Sequence, residues 1–302
     1  MSVDSDWLVD RRRLKRRLTV WQTVAVIGII VSVLAAIGRL TSVIDRPHIA
    51  RIDIEGMIVE DADRDQALAD VAEDSAVKAL IVRIDSPGGT VVGGETLYNR
   101  LRQVAEKKPT VAVMGEIATS AAYMTAIGSD YIVAHDGTLT GSIGVILQTA
   151  DLTGLLDKIG IKPESVKSSP LKAQPNPLEP FTPDAREAIR KVVGDVYDMF
   201  ASMVQERRKL SREQVEAVAD GSVFTGRQAK ANGLVDVLGG EREARAWLDE
   251  RHGIARSLPV RDVELRGPGE ELRDMVGGFV GKALLSERLI LDGVVSVWQP
   301  SN

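Results

Sequence analysis

Along residues 48–135 the apolar positions switch repeatedly between a spacing of two and a spacing of three to four, and each switch marks a change of element. HIARIDIEGMI (48–58) alternates as a strand does, ADRDQALADVAE (62–73) has helical spacing, and VKALIVRIDS (77–86) is a β-branched run closed by a Pro-Gly-Gly turn signal. The cycle continues with a helix over 93–107, a strand over 110–114, a short helix over 120–128 and a strand over 130–135. Alternation at this period predicts an α/β layer on a mainly parallel sheet, with its functional loops at the strand ends.

Further along, SSPLKAQPNPLEPFTP (168–183) carries five prolines and predicts no regular structure. A long helix is expected over 184–209. Ser211-Arg-Glu-Gln214 and Thr225-Gly-Arg-Gln228 are capping-box patterns that open two more, the second stopping at Asn232-Gly233. LVDVL (234–238) reads as a short strand. From about Arg251 the chain becomes charged and rich in Pro and Gly. It then ends in an apolar stretch, 275–298, whose partial helical spacing suits an amphipathic tail.

Upstream of the alternating region, Leu18 to Gly38 is a run of 21 residues without a charge. At about 1.5 Å per residue it spans roughly 31 Å, one hydrocarbon core. Residues 1–17 hold six basic side chains against three acidic ones, a balance of +3, which leaves −8 of the overall −5 to the rest. That asymmetry fits the positive-inside rule and predicts a single membrane span with a cytoplasmic N-terminus and the remainder outside, in a bacterium the periplasm. A cleavable signal peptide is the rival reading, since Ala36-Ile37-Gly38 resembles a small-x-small site, although the region before the apolar run is long for one. The expected layout is a basic segment (1–17), an anchor (18–38), a linker (39–46), a catalytic domain (47–247) and a tail (248–302).

Composition narrows the chemistry. The chain has no cysteine, so thiolate nucleophiles, disulfides and cysteine zinc sites are excluded. His48, His135 and His252 are scattered and none has metal-ligand spacing. No basic excess points to nucleic acid. Three loops after expected strands carry what acyl transfer requires. Asp85-Ser-Pro-Gly88-Gly89 can present backbone N–H groups as half of an oxyanion hole, or can be a plain strand-to-helix turn. In Gly115-Glu-Ile-Ala-Thr-Ser120-Ala-Ala-Tyr, the serine opens a helix among small residues. It is either an N-cap or a nucleophile, with the N–H of Ala121 as second oxyanion donor. No GxSxG elbow occurs. Thr140-Gly-Ser142-Ile-Gly144 follows the next strand and leads towards the proline-rich segment. A lysine serves as base where desolvation lowers its pKa from about 10.4, but spacing alone does not choose Lys172 over Lys167 or Lys162.

IVRIDSPGG, the Ser-Ala-Ala-Tyr run of GEIATSAAY, SDYIVA, TLTGSIGVI, VKSSPLKA and DGSVFTGRQAKANGLVD together resemble, in order and spacing, the bacterial signal peptide peptidase A family over about residues 47–240. The resemblance implies a membrane-anchored serine-lysine peptidase on the repeated β-β-α superhelix fold of the Clp proteolytic subunit and the crotonases. It implies Ser120 as nucleophile, Lys172 as general base, Ser142 as the residue that orients the lysine, and Gly88 or Gly89 with Ala121 as oxyanion donors. No metal or organic cofactor is implied. The substrates are remnant signal peptides, and the assembly is a ring-like homo-oligomer in which Lys172 can serve a neighbour's Ser120. One position departs from the family: Ser169 stands where glycine is usual. Three other readings compete. They are a Clp-like protease with His135 and Asp136 as its base, a crotonase-type acyl-CoA enzyme, and a membrane scaffold without catalysis.

Overall fold

The structure, a computed structural model, describes residues 17–33 and 46–265. The chain divides into two compact units, residues 1–48 and 49–302. In the first, residues 17–33 form helix α1, whose apolar side chains are exposed, Trp21 among them. Among the described residues no helix is long and apolar enough to cross a membrane. Residues 34–38 of the expected span lie outside the described residues, as do most of the basic segment and the linker, and the apolar tail at 275–298.

The second unit is a mixed α/β fold on one sheet. Its strands are β1 (His48–Ile58), β2 (Val77–Gly89), β3 (Thr110–Thr119), β4 (Tyr131–Ala134), β5 (Leu139–Gly141), β6 (Val223–Thr225), β7 (Val237–Leu238) and β8 (Val260–Asp262). The order is β6-β5-β3-β2-β1-β8, with β4 also on β3 and β7 on β4. The β5–β6 pair is antiparallel, whereas β1–β8, β2–β3, β3–β4, β3–β5 and β4–β7 are parallel.

The helices are α2 (Ala62–Glu73), α3 (Val91–Ala105), α4 (Ala121–Ala126), α5 (Thr153–Lys158), α6 (Pro183–Arg208), α7 (Arg212–Val218), α8 (Gly226–Ala231) and α9 (Glu241–His252). Both faces of the sheet are covered. Leu80, Val82 and Ile84 of β2 join the cluster that includes Leu97 and Leu101 of α3 and Phe200 of α6, while Ala79 and Ile81 face Ala244 and Leu248 of α9. Burial on both sides is why β2 reads as a continuous apolar run rather than an alternating one. Both capping boxes form as the sequence indicates, at Ser211 and at Thr225.

Three elements depart from expectation. β2 does not stop at Ser86 but continues through Pro87 to Gly89, because Gly89 lies flat against β1: a Cβ there would sit 1.8 Å from the Ile58 carbonyl oxygen. β3 runs five residues past Met114. Its first half pairs with β4 (Val111↔Tyr131 to Met114↔Ala134), and its second half pairs with β5 (Ile117↔Leu139 to Thr119↔Gly141). Between the halves the register against β2 shifts, Ile84↔Met114 giving way to Ser86↔Ala118. The Asp85 carboxylate fills the kink by accepting from the Ile117 N–H at 3.2 Å, and Gly115 leaves it room. Finally, the packed body extends beyond residue 247, since α9 runs to His252 and β8 pairs with β1.

Candidate active site

The kink in β3 delivers Ser120 to the end of the strand. Ser120 has φ 56° and ψ −123°, a backbone conformation that side chains rarely adopt, and it makes no capping bond to α4. It is held there from two directions. Its N–H donates to the Gly141 carbonyl at 2.9 Å, and the hydroxyl of neighbouring Thr119 donates to the Pro87 carbonyl at 3.0 Å. Ala121 is the first residue of α4, so its N–H has no acceptor within the helix. Behind it α4 is buried throughout, and Gly94 of α3 allows the two helices to close: a Cβ at Gly94 would lie 2.9 Å from that of Ala121.

The Asp85–Gly89 segment closes over this serine. Gly88 has φ +112°, and a Cβ on it would meet Ser120 Cβ at 2.9 Å, the Thr119 oxygen at 3.0 Å and the Ala121 nitrogen at 3.2 Å. The Gly88 N–H donates to the buried Ser86 hydroxyl at 3.1 Å, so in this state one candidate oxyanion donor already has an acceptor. From the other side comes Ser142, also at positive φ (49°), whose N–H donates to the Ser222 carbonyl at 2.7 Å. Ser120, Ala121, Ser142, Gly88 and Gly89 all line one open cavity of about 760 Å³. Its remaining wall is largely apolar and includes Met57, Met124, Val145, Tyr197 and Phe200.

Comparison with known proteins places the chain in a family. The family model described as peptidase family S49 matches residues 102–255, a stretch that contains Ser120, Ser142 and Lys172. A protease-named protein of Synechocystis sp. is 39% identical over 235 residues, covering 77% of this chain and 84% of its own length. The chain belongs to peptidase family S49. The relatives include the chloroplastic serine protease SPPA of Arabidopsis thaliana, 34% identical over 242 residues, covering 76% of this chain and 35% of that one. Another, from Enterococcus faecium, carries the name signal peptide peptidase SppA and is 33% identical over 178 residues, covering 59% of this chain and 52% of that one. A solved structure of a membrane-bound stomatin-specific protease aligns with TM-score 0.49 and 17% identity over 72% of this chain and 98% of its own. Family membership makes the chain a serine peptidase, a hydrolase.

Within this S49 chain Lys172 is not part of the cavity wall. It is exposed, on a segment tied together by Glu179, whose carboxylate pairs with Lys167 and accepts from Ser165 (2.7 Å) and Gln174 (2.8 Å). These bonds, led by that from Lys167, hold the Glu179 carboxyl below the usual carboxylate range. Ser169 is not among the residues of positive φ; the left-handed residue of this segment is Ala173, next to Lys172. His135 lines a separate groove with Arg83, Asp85 and Glu116, and neither it nor Asp136 reaches the Ser120 cavity.

The cavity wall itself was invisible in the sequence, because Tyr197 and Phe200 arrive on α6 about eighty residues after Ser120. One signal was available. Gly93 and Gly94 sit together inside a helix, where glycine costs about 0.5–1 kcal/mol each relative to alanine, and such a pair marks a close approach.

Proposed function

We propose that this protein is a membrane-anchored endopeptidase that degrades apolar peptides, remnant signal peptides among them, with Ser120 as nucleophile and Lys172 as general base. The observation that carries the reading is the strained Ser120, fixed at the mouth of an apolar cavity beside the Ala121 N–H and the Gly88 turn. Neutral Lys172 takes the Ser120 proton as the hydroxyl attacks the peptide carbonyl, and the loop N–H groups of Ala121 and of Gly88 or Gly89 receive the oxyanion. The protonated lysine then gives its proton to the leaving amine, and water repeats the cycle on the acyl-enzyme. Ser142, on the same cavity wall, orients the lysine.

The lysine comes from a neighbouring subunit of a ring-like homo-oligomer. In support, Lys172 is exposed and does not line the cavity of its own chain, on a stretch whose Leu155, Ile159 and Leu171 are exposed as well. Residues 18–38 form the anchor, with the peptidase domain on the extracytoplasmic face of a bacterial plasma membrane. The support for this is the charge-free run behind a basic segment. The Clp-like histidine base is disfavoured by the separate groove of His135.

Mixing inactive variants tests the reading. Ser120→Ala and Lys172→Ala each abolish cleavage of a synthetic signal peptide. Co-assembled in equal amounts they regain about a quarter of wild-type activity, since a site then needs the serine of one variant beside the lysine of the other. No recovery in well-formed mixed oligomers rejects the shared site. Undiminished cleavage by Lys172→Ala alone rejects the lysine base.

A further inference from the structure

Among the described residues, Asp220 is the one charged residue that lines the apolar cavity. It lies in the turn between α7 and β6, and the turn is fixed to the segment after β5 that carries Ser142. The Gly221 N–H donates to the Ile143 carbonyl at 3.1 Å, and the Ser222 carbonyl accepts from the Ser142 N–H at 2.7 Å. The Asp220 carboxylate is itself positioned by the Ser222 N–H at 2.9 Å. Hydrogen bonds from Ser222, side chain and backbone, hold its carboxyl below the usual range, so it is an anion at neutral pH.

What sets this carboxylate apart is its place on the wall of the apolar cavity with no cation beside it. Asp130, Asp236 and Asp262 are each matched by an arginine, whereas Asp220 is exposed and has no ion pair among the described residues. An unmatched negative charge fixed at the edge of an apolar cavity favours a ligand that brings the missing positive one. It also disfavours a ligand whose acidic group falls at the same place.

We propose that Asp220 is a specificity-determining residue, selecting among apolar peptides those with a lysine or arginine beside the apolar segment that fills the cavity. This rests on the peptidase reading for its substrate class. The turn alone would be served by any side chain that accepts from the Ser222 N–H, so Asp220→Asn keeps the turn and removes only the charge.

The test uses the full-length oligomer in detergent and a set of apolar peptides in which one lysine, or its uncharged isostere norleucine, is placed in turn at each position around the scissile bond. Wild-type protein is expected to show kcat/KM about two- to five-fold higher for lysine at one or two positions, an advantage that shrinks as salt is raised. In Asp220→Asn the lysine-to-norleucine ratio falls to about one at those positions. A ratio unchanged by the substitution, with cleavage intact, overturns the role of Asp220 and leaves the peptidase reading standing. If no peptide is cleaved, binding of the same peptides to Ser120→Ala decides. A lysine preference abolished by adding Asp220→Asn upholds the site while the peptidase reading fails, and equal or absent binding overturns both.

Discussion

Replacing Gly88 by alanine separates the chemistry of the site from the stability of the fold. The new Cβ would stand 2.9 Å from Ser120 Cβ and 3.2 Å from the Ala121 nitrogen, on a backbone at φ +112°. Ordinary contacts begin some tenths of an ångström further out, so either the Gly88 loop retreats or Ser120 moves. The strained backbone and the contact together cost about 2–3 kcal/mol, which a domain stable by about 5–15 kcal/mol survives. For a domain of this size that lowers Tm by about 4–12 °C. The effect on catalysis is far larger, because the methyl lies over the Ala121 N–H and displaces the nucleophile. Loss of one oxyanion donor costs about 10²–10³ in rate, and a misplacement of about 1 Å costs about 10². The expected outcome is kcat/KM on a fluorogenic signal peptide reduced at least about a hundredfold in protein that still folds and assembles. Gly89→Ala is the contrast: its Cβ would lie 1.8 Å from a backbone oxygen of central strand β1, so it fails to fold. Activity of Gly88→Ala within about threefold of wild type, at unchanged Tm, would refute the placement of this loop over a catalytic Ser120.

Two further substitutions probe strain and the lysine-bearing segment. Ser120→Gly abolishes activity yet raises Tm by a few degrees, because relief of about 1–3 kcal/mol of backbone strain exceeds the roughly 0.5–1 kcal/mol of glycine's extra chain entropy; Ser120→Ala gives the same loss of activity without the rise, and differential scanning calorimetry distinguishes them. Since the Glu179 carboxyl is held below its ordinary value, the order it gives to segment 165–179 is complete above about pH 5 and is lost as pH falls through the lowered folded value. Limited proteolysis of this segment is therefore expected to be flat from pH 7 to about pH 5 and to accelerate below about pH 4. Glu179→Gln shows the faster cleavage already at pH 7, with global Tm unchanged because the segment contributes no buried side chain.

The parts of the fold legible in the sequence are those where one period runs uninterrupted. β1 and α2 fall on residues 48–58 and 62–73, as their spacing indicates. Where Gly and Pro interrupt a strand without ending it, the sequence misleads. Pro87, Gly88 and Gly89 remain in β2, and Gly115 lies inside β3, since each glycine there answers a close approach by another chain segment rather than a turn. α9 escaped notice for a different reason: EREARAWLDERH buries only Ala244 and Leu248, with Trp247 stacked on Tyr131, too thin an apolar stripe to stand out among charges. The site divides likewise. Ser120 and Ser142 directly follow strands β3 and β5, and the two glycines end β2 of the same sheet, so sequence order already brings them to one edge. The α6 wall and the Asp220 turn reach the same cavity only through tertiary packing.

The arrangement separates a rigid half of the site from an exposed one. Positive φ at Ser120, Ser142 and Gly88 is sustained by bonds that cross between loops: Ser120 to Gly141, Ser142 to Ser222 and Thr119 to Pro87. Such conformations persist only where the surroundings over-determine them, and here these loops rest on the fully buried residues Ala118, Ala122 and Ile143. Lys172, by contrast, sits on a segment organised by the half-buried Glu179 carboxylate and resting on no core of its own. On the proposed reading the nucleophile is pre-set in each subunit and the base is exposed outside the cavity of its own chain, so an isolated chain keeps Ser120 unactivated. On the proposed reading, assembly supplies the missing proton acceptor, so hydrolysis is confined to the oligomer.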